Sequence, residues 1–123
     1  MSAVVRRCAD VQTVETGFGN MRWMANARLT RTELTLGRVV IEPGKANDRH
    51  RHPSCSEVLY LLSGRLEHSV GGERVVMEAG DSIVIPEGVF HNARSIGNAP
   101  ADMIVAYSSG DRGYQAESGA GTE

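Results

Sequence analysis

The sequence predicts an all-β sandwich or barrel, and three observations predict it. Helical periodicity is nearly absent between residues 30 and 107. Short apolar or alternating runs take its place. Turn chemistry (Gly, Pro, Asp, Ser) separates these runs every six to ten residues, the spacing of many short strands rather than of βα units.

Taken in order, residues 1–30 carry Met21, Trp23 and Met24 and are expected to give a first strand or a cover over one barrel end. The barrel proper is expected over residues 31–109. Its runs are Leu34 to Ile41, Glu57 to Leu62, Arg65 to Val70, Glu73 to Met77, Ser82 to Ile85 and Ala101 to Tyr107. They stop at Glu42-Pro43-Gly44, Ser63-Gly64, Gly71-Gly72, Ala79-Gly80-Asp81 and Pro86-Glu87-Gly88. Gly71-Gly72 suits a two-residue type I′ hairpin, because glycine reaches positive φ without a Cβ clash. Residues 110–123 are Gly-rich and have no large apolar residue after Tyr114, so a flexible tail is expected there.

Composition narrows the function classes. The 123 residues make one domain with one core, and 41% of them are hydrophobic, enough to fill it. With 15 acidic against 13 basic residues the formal charge is −2, and no basic block is present. That disfavours nucleic acid as a partner. The longest apolar run, Val58 to Leu62, is far short of the roughly 18–20 residues of a membrane-spanning helix. The N-terminus carries Arg6 and Arg7 where a secretion signal needs a continuous apolar stretch. Two cysteines, Cys8 and Cys55, allow at most one bridge, and a cytoplasmic protein with free thiols is the expectation.

The four histidines carry the chemistry. His50 and His52 are two apart in an extended stretch, so both imidazoles leave one face. Glu57 lies five residues beyond His52, and the intervening Pro53-Ser54 lets the chain direction reset. His91 follows Pro86-x-Gly88, a turn placed to present the next side chains. Three neutral imidazoles and a carboxylate on converging strands form a ligand set for one divalent transition metal: Fe, Mn, Ni, Zn, Co or Cu. Alone, a His-x-His pair reads more readily as two solvated side chains on an exposed edge, and a lone Glu as a surface carboxylate.

As a set, the residues read Gly44-x5-His50-x-His52-x4-Glu57-x6-Gly64, then Gly80-x5-Pro86-x-Gly88-x2-His91, with 15 residues between the blocks. This closely resembles the two motifs of the cupin superfamily, in particular its small single-domain members. The resemblance covers residues 44 to about 98 in detail, and one position departs from it: Ser95 stands where the family usually has Asn. It implies a jelly-roll β-barrel (a double-stranded β-helix), a metal bound at the positions of His50, His52, Glu57 and His91, and a homodimer. Open strand edges supply a physical motive for pairing across a two-fold axis.

Further candidates lie around that set. His68 shares a strand face with Leu66 and Val70, and either lines the cavity as an acid/base or substrate-binding group or is a hydrogen-bonded structural histidine. Tyr60, Tyr107 and Phe90 are candidate substrate contacts, though Phe90, adjacent to His91, faces the other way on a regular strand. Arg49 and Arg51 alternate with the histidines and are expected to point outward. Cys55 reads as a loop thiol rather than a fifth ligand.

Two function classes follow, with a purely structural metal as a third. One is a metalloenzyme acting on a small organic molecule, by O₂-dependent (dioxygenase-type) oxidation or by isomerase or lyase chemistry on a sugar or organic acid, with Glu57 available as a base. The other is a non-catalytic metalloprotein that binds a sugar or acid.

Overall fold

The structure is a computed structural model and describes residues 3–117. A short 3₁₀ turn (Cys8–Asp10) precedes β1 (Thr13–Glu15) and β2 (Gly19–Ala25), and a single helical turn, α1 (Ala27–Thr30), is capped by the Asn26 side chain accepting from Leu29 N–H. Nine strands follow: β3 (Thr35–Ile41), β4 (His50–Arg51), β5 (Glu57–Ser63), β6 (Arg65–Val70), β7 (Glu73–Glu78), β8 (Ser82–Ile85), β9 (His91–Ser95), β10 (Ala101–Tyr107) and β11 (Gln115–Ala116). They form two antiparallel sheets, one ordered β1-β2-β3-β10-β5-β8 and the other β11-β4-β9-β6-β7. Crossing between sheets after β3, β4, β5, β7, β8, β9 and β10 makes this a double-stranded β-helix, the jelly roll the motifs imply.

Alternation sorts each strand into an inner and an outer face. On β5 the inner residues are Glu57, Leu59 and Leu61, while Val58, Tyr60 and Leu62 face out. On β10 every odd-numbered residue from Ala101 to Tyr107 is buried. The inner faces meet in a core that includes Ile41, Leu61, Leu66, Met103 and Val105. Trp23 lies directly on Gly37: a Cβ there would stand 2.5 Å from the indole ring, so the aromatic wall exists because residue 37 has no side chain.

Two turns differ from expectation. In the β6–β7 hairpin only Gly71 has a positive φ (57°), the sign pattern of a type II′ turn and not of type I′, which needs both central residues there. Residues 110–117 are not a free tail. Gln115 and Ala116 pair with Arg51 and His50, and Arg49 binds the Glu117 carboxylate. The rest of the expected tail, residues 118–123, lies outside the described residues. At Ser95 the backbone preserves the turn: its N–H donates to Lys45 O and its C=O accepts from Gly44 N–H, both at 2.9 Å.

Candidate metal centre

The site is built across the two sheets. His50 on β4 is paired directly with His91, the first residue of β9. His52 follows two residues later on the same face, and its carbonyl accepts the Gly88 N–H, which ties the Pro86-x-Gly88 turn to this strand. Glu57 comes from the opposite sheet, at the start of β5, flanked by Tyr107 of β10 and Ile85 of β8. All four side chains are buried, at 3–4% exposure.

Each imidazole is oriented by a backbone carbonyl. His50 Nδ1–H donates to Asp48 O (2.6 Å), His52 Nδ1–H to Gly113 O (2.7 Å) and His91 Nδ1–H to Val89 O (2.9 Å). Those bonds set the tautomer, leaving Nε2 of a neutral ring as a bare lone pair. One ligand atom from each of the three rings lies within 4.8 Å of the others. Glu57 Oε1 stands 3.1 Å from His91 Nε2 and 3.4 Å from His52 Nε2, and His52 Nε2 has no hydrogen-bond partner among the described residues. Three lone pairs and a carboxylate oxygen thus face one another in a buried space. The three imidazoles form a group that could hold a metal ion, and Glu57 Oε1 stands beside two of them without belonging to that group.

Burial by itself raises the Glu57 carboxyl, but hydrogen bonding to His52 and His91 and the positive charge of those rings when protonated outweigh it and hold the group well below the usual carboxylate range in the metal-free protein. Burial, and next the neighbouring His91, pushes His50 down to about 3. An ionised carboxylate beside a neutral imidazole is the protonation state that metal binding requires.

Beyond the ligands the candidates divide. Tyr107 is buried and meets the His52 ring edge-on at 4.8 Å, so it belongs to the cavity wall. His68 also lines the cavity, with its ring 6.0 Å from that of His91. Tyr60 does not: it is 44% exposed on the outer face of β5, one residue out of phase with Leu59. Phe90 lies outside the cavity beneath the Arg51 guanidinium, 4.9 Å from its ring centre. Cys55 is a loop thiol but a buried one, donating to Arg112 O. Both cysteines are free.

Sequence reasoning missed the segment 112–116. Tyr114 stacks on His50 at 4.8 Å, Gly113 supplies the carbonyl that orients His52, and the Arg112 guanidinium sits 4.6 Å over Trp23. Tyr114, an aromatic in an otherwise Gly-rich stretch, was the available signal. The cavity itself is small, about 30 Å³, with apolar walls that include Met21, Val39, Leu59 and Met103.

Residues 37–107 match the cupin domain family. The chain is a cupin. Among curated proteins this cupin is 32% identical over 110 residues to Germin-like protein 3-8 of Oryza sativa subsp. japonica, covering 82% of this chain and 49% of that protein. It therefore spans about half the length of that relative. Among solved structures, the oxalate decarboxylase of Bacillus subtilis, in a study of its Mn(II) centers, superposes with a TM-score of 0.80 at 20% identity, over 86% of this cupin and 30% of that chain. Oxalate oxidase in complex with the substrate analogue glycolate gives a TM-score of 0.78 at 22% identity, over 93% of this cupin and 63% of that chain. No helix among the described residues is long and apolar enough to cross a membrane.

Proposed function

We propose that this cupin is a metal-dependent enzyme that acts on a small organic acid, with one divalent ion held by His50, His52, Glu57 and His91. The observation that carries the reading is the convergence of three carbonyl-anchored imidazoles, with the buried Glu57 carboxylate beside two of them. A bound divalent ion supplies Lewis acidity to a carboxylate or carbonyl and, where the ion is redox-active, a route to O₂ chemistry. The protein's part is to hold the donors in place and limit water: much of the wall is apolar, and the Tyr114 and Tyr107 rings close in on His50 and His52. Glu57 is better suited to ligation than to proton transfer, because its surroundings reduce its affinity for a proton.

Cavity size supports the substrate class. At about 30 Å³ the cavity is small, which favours a compact acid over a sugar. The oxalate and glycolate named for the structural neighbours are of that size, and Mn(II) is the ion to test first. The expected reaction is oxidation or carbon–carbon cleavage of such an acid, ahead of isomerisation. Metal analysis of protein purified without oxygen, followed by turnover assays on oxalate and glycolate with and without O₂, tests this. One ion per chain and consumption of one acid are expected; a protein that binds no divalent metal sinks the proposal. Stoichiometric acid recovered unchanged would instead favour a binding protein.

A homodimer and a cytoplasmic location belong to the same proposal. The outer face of the six-stranded sheet exposes Leu36, Val58, Tyr60, Leu62 and Val84, an apolar face suited to a second copy. Unpaired cysteines suit a reducing compartment. A monomer by sedimentation at micromolar concentration would remove the dimer.

A further inference from the structure

Among the described residues His68 is a buried histidine outside the group of three converging imidazoles. It sits on the inner face of β6, only 1% exposed, opposite Ala93 on β9, with His91 two residues away along that same face. The small Ala93 side chain leaves the imidazole open to the cavity it shares with Glu57 and His91. The rings of His68 and His91 are nearly parallel, at 26° and 6.0 Å. His68 nonetheless stands outside the group of three rings whose donor atoms converge. Among the described residues neither its Nδ1 nor its Nε2 has a hydrogen-bond partner. Leaving a buried polar atom unpaired is costly, so a histidine in such a place implies a partner that is not part of the chain.

We propose that His68 is a specificity-determining contact, one ring nitrogen hydrogen-bonding an oxygen of a small acid whose other end is held at the His50–His52–Glu57–His91 centre. This rests on the metal-centre reading above and adds to it the chemical class of the substrate: an acid with a second oxygen function, hydroxyl, carbonyl or carboxylate, one or two bonds from the first. Met21, Val39, Leu59 and Met103 are apolar, and the Asn47 Oδ1 that also borders the cavity already accepts the Ala93 N–H at 2.8 Å. Burial pushes His68 down to about 4, so at neutral pH the ring is neutral and offers one donor and one acceptor. A site built around such a bond rejects the analogue lacking the oxygen, because the buried nitrogen is then left unpaired.

The test loads the full chain with Mn(II), counts the metal by elemental analysis, and titrates glycolate and acetate calorimetrically. Acetate lacks the hydroxyl and otherwise matches glycolate. Wild type is expected to prefer glycolate by at least about tenfold. His68→Leu is expected to keep one Mn(II) per chain and bind the two acids alike, and His68→Gln, which retains a donor and an acceptor, to recover part of the preference. His68→Phe keeps a planar ring without nitrogens and replaces the leucine variant if that one fails to fold. An undiminished glycolate preference in the apolar variant overturns the assignment, as does metal-loaded wild type that binds neither acid or does not distinguish them. Loss of Mn(II) on replacing His68 also overturns it, by making the residue a support of the ion. Wild type that takes up no metal fails at the earlier step and overturns the metal-centre reading itself.

Discussion

Four histidines are buried between the two sheets at 1–3% exposure, yet they fall into two kinds. His50, His52 and His91 each have Nδ1 fixed on a backbone carbonyl and a second nitrogen turned toward Glu57 or its neighbours. His68 has the same burial and, among the described residues, no hydrogen-bonded anchor. Burial alone therefore says little about what a histidine does. The anchoring bond distinguishes a group that must hold one orientation for an ion from one left free to meet a ligand.

The largest effect should come from removing an anchored ring. His91→Ala is expected to weaken Mn(II) binding by at least about 100-fold, since it deletes a ligand and leaves Glu57 facing fewer partners, whereas His68→Leu should change it by less than about threefold. Competition against a chelator of known affinity measures both, and equal losses would erase the distinction.

Acid should act on both kinds in the metal-free protein. His50 is lowered to about 3 and His68 to about 4, burial being the first cause for each, from an ordinary value of 6.5. The unfolded chain therefore takes up protons first. Their stabilising contribution is complete above pH 6.5 and is lost as pH falls toward 4 and then 3. His68 alone accounts for on the order of 3 kcal/mol of that loss. Melting curves between pH 7 and pH 4 should show a steep decline in wild type and a shallower one in His68→Leu; parallel curves would mean that His68 is not held neutral by the fold.

A smaller effect is expected from shortening the chain to end at Asp111. His52 then loses the Gly113 carbonyl and His50 loses its stacked Tyr114, which should cost about tenfold in metal affinity while the barrel still folds. Unchanged affinity would show that the carbonyl anchors are dispensable. The smallest is on the outer face. Tyr60→Ser should leave metal content unaltered and shift stability by less than about 0.5 kcal/mol in the monomer, and any loss of the ion would contradict the outward placement of that ring.

Much of this was legible in the chain. The strands from Thr35 to Tyr107 follow the alternating runs, and the three imidazoles that come together, His50, His52 and His91, are ones the motif spacing singled out. Tyr60 could also have been placed. Once Glu57 faces inward, a period of two sends Leu59 with it and Tyr60 the other way. Phe90, next to His91, obeys the same rule. The segment 112–116 was not readable in this way. Its strand is two residues long and carries no periodicity, and it acquires its role through a contact 61 residues distant, between Gly113 and His52. Local pattern carries no information about such a contact until the topology is known.

The alternation Arg49-His50-Arg51-His52 has a consequence for how the chain finds its pairing. A slip of one residue between β4 and β9 would send both histidines to the outside and both guanidinium groups into the cavity. In the native register those guanidinium groups are held outside by Ser69, Gly71 and Glu117, and by Gln115 and Phe90. Inside, they would be two desolvated cations beside a single carboxylate, a state several kcal/mol per ion less stable. The same four residues that bring two imidazoles into the buried group thus make the wrong alignment of their own strand self-defeating.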